Sequence, residues 1–129
     1  MARLCTRLPL LVALSVFHPP VSFSASQGTR TLEVTATAYN SLPQQGQGDP
    51  TIAAWGAKLH PGMKAIAVSR DLIELGLTNG VEVRIDGLPG TYTVLDKTAK
   101  RWKRRIDIYM GTDVKAARQW GKRRVTIHW

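Results

Sequence analysis

Two aspartates eleven residues apart are the side chains of this sequence best suited to chemistry: Asp96 in Val94-Leu95-Asp96-Lys97-Thr98, and Asp107 in Arg105-Ile106-Asp107-Ile108-Tyr109. Each lies in a short aliphatic run. Period-two alternation predicts Val94 and Asp96 on one strand face with Leu95 on the other, and Asp107 opposite Ile106 and Ile108. Two carboxylates projecting from two strands suit general acid–base chemistry. The same pattern also fits solvated strand aspartates that pair with neighbouring Lys and Arg.

Between the aspartates lie six basic residues and an indole, in Lys97-Thr98-Ala99-Lys100-Arg101-Trp102-Lys103-Arg104-Arg105. Stacking on Trp102 beside phosphate contacts would suit a single-stranded nucleic acid. Alternatives are a solvated basic loop, or an electrostatic guide for an anionic glycan in which Trp102 offers an apolar face to a sugar ring. Nearby cations lower an aspartate pKa whereas a general acid needs it raised, so catalysis requires burial or mutual repulsion to offset them. Other residues carry weaker signals. His60 and His128 have no acidic partner at ligand spacing, so neither a metal nor any other cofactor is expected. Ser69 lacks a nucleophile-elbow context and reads as a helix cap. Trp55 beside Gly56 could line a groove or fill a core.

The elements that must position these residues are mostly strands. Thr31 to Tyr39 alternates strictly, with Leu32, Val34, Ala36 and Ala38 on one face. A long loop, Asn40 to Pro50, follows; such loops are more often functional than idle. Strands are expected over Lys64 to Val68, Val81 to Ile85, Thr91 to Leu95 and Arg123 to Trp129, besides the run around Asp107. A short helix over Arg70 to Leu77 starts at Ser69 and stops at Gly76, and a second starts with Thr112 as cap and ends at Gly121. Six short strands and two short helices predict a mostly-β domain, a small barrel rather than a sandwich.

Residues 1–25 read as a cleaved secretory signal peptide. Arg3 and Arg7 form the basic region, Leu8 to Phe17 the apolar stretch, and small residues from Ser22 to Ser26 the cleavage region. A short membrane tether is the alternative; the apolar stretch is too short for a stable span. Residues 26–30 form a linker, and 31–129 suffice for one domain. The single cysteine, Cys5, lies in the signal, so the exported part holds no disulfide and no thiol chemistry. Without Arg3 and Arg7, sixteen Lys and Arg face nine Asp and Glu, a net charge of +7. The expected partner is therefore anionic. An exported protein meets lipid headgroups and the carboxylate-rich wall before nucleic acid, so nucleic acid is not expected.

Six segments occur in a characteristic order: Thr35-Ala36-Thr37-Ala38-Tyr39, Ile52-Ala53-Ala54-Trp55-Gly56, Ile66-Ala67-Val68-Ser69, Asp96-Lys97-Thr98, Arg105-Ile106-Asp107-Ile108-Tyr109 and Ala117-Arg118-Gln119-Trp120-Gly121-Lys122-Arg123. In this the chain resembles the bacterial three-aspartate ("3D") domain, which is related to the C-terminal part of the membrane-bound lytic murein transglycosylase A family. The resemblance implies a six-stranded double-psi β-barrel that cleaves peptidoglycan glycan strands between N-acetylmuramic acid and N-acetylglucosamine. It makes Asp107 the catalytic acid and base and Asp96 its supporting carboxylate, with Tyr39, Trp55, Gly56, Ser69, Trp102, Lys103 and Tyr109 expected to line the glycan site. A monomer in the periplasm or cell envelope, or a secreted one, is implied, in contact with the wall and with an anionic outer-membrane surface. The chain departs from the pattern at three places. The domain's first aspartate is Ser69 here, Lys97 and Thr98 replace glycines, and Ala-Ala-Trp-Gly replaces Thr-Ala-Ser-Gly. The family's larger substrate-binding domain is absent. A non-catalytic wall-binding module is the alternative function, and a cationic protein acting on membrane or lipopolysaccharide a third.

Overall fold

A computed structural model describes residues 9–19, 29–43 and 48–129. Its strands are β1 (Thr31–Tyr39), β2 (Ala65–Val68), β3 (Glu82–Ile85), β4 (Tyr92–Lys97), β5 (Arg105–Tyr109) and β6 (Arg123–His128). They close into a barrel in the order β1-β5-β2-β4-β3-β6. β1 runs parallel to β5 and β2 parallel to β4, and the remaining neighbours are antiparallel. The fold is thus the mostly-β, six-stranded barrel with two short helices that the strand spacing predicts.

Each strand turns two side chains inward: Val34 and Ala36, Ile66 and Val68, Val83 and Ile85, Tyr92 and Val94, Ile106 and Ile108, Val125 and Ile127. Mainly β-branched, they fit the pleated wall and fill the interior, and the one polar atom these side chains carry is the Tyr92 hydroxyl. Burying one such aliphatic side chain contributes about 1.5–3 kcal/mol. Leu72 and Leu77, from α1 (Arg70–Glu74) and the turn after it, complete this core.

α1 begins after Ser69, as expected, but the Ser69 hydroxyl makes no cap bond and instead accepts from the Arg105 N–H at 3.0 Å. α2 (Val114–Trp120) is capped by Asp113, which accepts from the Ala116 N–H at 2.9 Å, and not by Thr112. A carboxylate one residue closer to the helix takes the position where a side-chain oxygen reaches the free N–H groups. Gly121, at φ 65°, ends α2, and Trp120 Nε1 ties the helix to the Ala36 carbonyl of β1 at 3.3 Å.

A second, smaller cluster lies outside the barrel. Ala53 and Leu59 from the segment before β2 pack on Ala65 and Tyr109, flanked by Tyr39, Met63 and Leu95. This segment forms a strap over the outer face of the wall. Residues 44–47 of the expected long loop, and most of the expected signal and linker, lie outside the described residues. Residues 9–19 form no helix, and Leu10, Leu11, Leu14 and Phe17 are exposed. No helix among the described residues is long and apolar enough to cross a membrane.

Candidate functional site

The barrel register aligns both aspartates in one row. Thr37 of β1 pairs with Asp107 of β5, Asp107 with Ala67 of β2, and Ala67 with Asp96 of β4. The carboxylates therefore flank the same alanine, two strands apart, about 10 Å at the backbone. Ile106 and Ile108 point inward, so Asp107 faces outward as the alternation predicts.

Asp96 reaches the same face by a different route. Between Ile66 and Ala67 the β2–β4 register shifts, skipping Leu95. The extra residue is a β-bulge, which resets alternation. Val94 consequently enters the core, while Leu95 packs under the strap outside it. The expected sharing of a face by Val94 and Asp96 is overturned; an unbulged strand would have aimed this carboxylate into the barrel.

Asp107 is held on one oxygen. Its Oδ1 accepts from the Thr37 hydroxyl and from Arg105 Nε, the latter at 3.2 Å. Arg105 also donates to Thr37 Oγ1 from Nη2 at 2.8 Å, and its guanidinium carbon lies 3.8 Å from the Trp102 ring centroid. Oδ2 accepts no hydrogen bond among the described residues, and the side chain is 22% exposed. Asp96 is held on both oxygens. Oδ1 accepts the N–H groups of Ala54 and Lys97, each at 2.9 Å, and Oδ2 accepts from the Tyr39 hydroxyl at 3.4 Å. Lys97 Nζ sits 5.0 Å from the Trp55 ring centroid. Each aspartate thus has a cation stacked on a tryptophan beside it, a contact that holds the cation in place.

The other predicted site residues divide by burial. Tyr39 is committed to Asp96, and burial together with the Asp96 and Asp107 charges pushes its phenol above the usual tyrosine range, so it remains a donor. Ser69 is fully buried beneath Arg105. Tyr109 is 3% exposed, and its hydroxyl is bonded to Ser41 Oγ at 2.8 Å. Ser69 and Tyr109 thus lie beneath the surface with their hydroxyls engaged by the protein itself. Trp55 and Trp102 are half-buried, and Lys103 is exposed. Gly56 is exposed at φ 88°, in a turn where its N–H is bonded to the Ala53 carbonyl.

Two residues of the row escape sequence reasoning, Thr37 and Ala67, while Arg105, two residues before Asp107 on β5, is legible only as one of six basic residues. Thr37 and Ala67 carry no chemical signature, and only strand register brings them to the carboxylates. On another part of the barrel, His128 Nε2 lies 2.8 Å from Asp86, a partner that sequence distance conceals. No group of three metal-ligating side chains occurs among the described residues. The arrangement defines a small closed β-barrel with a carboxylate pair on its outer wall. No family model and no curated protein matches this chain.

Proposed function

We propose that this protein cleaves peptidoglycan glycan strands between N-acetylmuramic acid and N-acetylglucosamine in the cell envelope, by a lytic-transglycosylase-like reaction. The observation that carries this reading is the asymmetry of the pair. Asp96 is saturated with donors, whereas Asp107 keeps Oδ2 uncommitted at the surface. Oδ1 is occupied by two donors, so the transferable proton belongs on Oδ2. In the proposed step Oδ2 gives that proton to the glycosidic oxygen as the bond from C1 of the muramyl residue breaks. The muramyl C6 hydroxyl then bonds to C1, its proton passing to Asp107, and an anhydro ring closes. One carboxyl group serves as acid and then base, so no second carboxylate need activate water. Asp96, fixed two strands away on the same face, supplies negative charge that stabilises the oxocarbenium-like centre. Trp55 and Trp102 present ring surface to sugars, and the basic residues from Lys97 to Arg105 guide the anionic strand.

The Arg105–Asp107 ion pair supports a second reading, a non-catalytic wall-binding module, because a carboxylate locked to a guanidinium is a fixed acceptor for sugar hydroxyls. The test incubates the purified protein and its Asp107→Asn variant with peptidoglycan sacculi and examines the released fragments by mass spectrometry. Anhydro-muramyl ends that disappear in the variant are the expected result. Binding of sacculi by both proteins without release of fragments would replace the enzyme by the binding module.

A further inference from the structure

A cleft of about 370 Å³ opens at the end of the barrel where β2 and β4 begin and β5 ends. Met63, Tyr92, Met110 and Ala116 give it an apolar lining, and Tyr109 contributes to the wall. Two residues of opposite charge, Lys64 and Asp113, line it. Neither has an oppositely charged partner within 4.0 Å among the described residues, and they are not paired with each other. Both are nevertheless fixed. Lys64 Nζ donates to the Pro89 carbonyl at 2.9 Å and lies 5.9 Å from the Tyr92 ring centroid. Asp113 Oδ1 is anchored by the Ala116 N–H. Two of the three ammonium protons on Lys64 and the second oxygen of Asp113 are left for a ligand.

We infer that this cleft binds a short peptide carrying both a carboxylate and an ammonium, the carboxylate at Lys64, the ammonium at Asp113 and apolar side chains against Met63 and Met110. A ligand carrying both charges can pair with each of the two exposed, fixed groups whereas a neutral or singly charged one pairs with at most one, and thioethers adapt to varied aliphatic shapes. The assignment to the peptide stem of the wall rests on the proposed glycan-cleaving role. Tyr109 follows Asp107 by two residues on β5, about 7 Å along the strand. A four-residue stem extends up to about 14 Å, so a peptide borne on a sugar at Asp107 reaches the cleft.

The experiment uses a sugar-free probe, the synthetic tetrapeptide L-Ala-D-Glu-diaminopimelate-D-Ala, titrated into protein carrying carbon-13 in its methionine methyl groups. Saturable shifts of the Met63 and Met110 methyl signals are expected. Lys64→Met and Asp113→Asn each weaken binding about tenfold or more, since each loses a charge-assisted hydrogen bond; asparagine retains the cap of α2. Unmoved methyl signals would overturn the inference. So would equal binding by both variants, or equal binding of a tetrapeptide whose carboxylates are amidated and whose amines are acetylated. Because the probe contains no glycosidic bond, these outcomes are independent of whether sacculi are cleaved.

Discussion

Tyr39 donates its hydroxyl proton to Asp96 along the outer face of the wall, β1 reaching β4 across β5 and β2. The strap makes this span possible by shielding the phenol ring, which tilts against Tyr109 with 5.5 Å between centroids. A buried phenol beside two carboxylates cannot ionise cheaply, and pH dependence follows. Above about pH 10 the unfolded tyrosine loses its proton while the folded one keeps it, so the unfolded state gains and stability falls as pH rises. Tyr92, also raised by burial, adds to the same loss. Tyr39→Phe is expected to cost about 1 kcal/mol or less at neutral pH and to move alkaline unfolding to higher pH. Circular dichroism against pH in both proteins measures it; an unchanged alkaline transition would contradict the burial of that phenol.

Ala67 separates the two carboxylates and is 3% exposed. Enlarging it drives the flanking side chains apart. Ala67→Leu should cost about 1–3 kcal/mol by overpacking, visible in urea titration. Under the proposed reaction it also abolishes fragment release from sacculi by a protein that still folds. Ala67→Gly, which opens the gap, retains more activity than Ala67→Leu.

Asp71 accepts the Arg104 N–H at 2.9 Å, where Arg104 adopts φ 49° at the end of the basic loop. Burial raises the Asp71 pKa, but the Ser69 hydroxyl and the backbone N–H groups outweigh it, and the net shift is downward. The group therefore adds stability above its unfolded pKa of about 3.9, and that contribution is lost as pH falls through the lower folded value. Asp71→Asn should flatten stability against pH in this acid range without altering the neutral-to-alkaline limb. Thermal melts between about pH 2 and pH 5 provide the comparison.

Arg105 combines an ion pair, two bonds to Thr37 and a stack on Trp102. Lysine reproduces the charge but neither the planar stack nor the fork of donors. Arg105→Lys is expected to destabilise by about 1–2 kcal/mol and to change Trp102 emission. Arg101→Lys, at the other guanidinium near that ring, should do less, because its group is exposed and 4.9 Å from the centroid.

Much of the barrel was legible because alternation is local. The inward pairs of β1 and β5 follow directly from TLEVTATAY and RIDIY, and Asp107's outward direction follows from Ile106 and Ile108. Asp96 was misdirected because a bulge leaves no mark in a six-residue strand. Thr37 and Ala67 were invisible because register couples residues 70 and 40 positions from Asp107 through pairings no local pattern encodes. Ser69 and Tyr109 were expected in the lining through the resemblance alone, and their hydroxyls serve the protein's own backbone and side chains.

The first and last strands of the barrel are each other's neighbours, paired from Thr31↔His128 to Ala36↔Arg123. The other neighbour of β1 is β5, which begins at Arg105. During synthesis β1 thus emerges early with both edges unpaired and must wait for nearly the whole chain before either is satisfied. Only the β2–β4 and β3–β4 pairings can form before β5 and β6 are made; the four that close the barrel wait for those two strands, and such delayed pairing slows folding and exposes edges to association. The emergence of β6, which pairs with both β1 and β3, sets the moment at which the barrel can close.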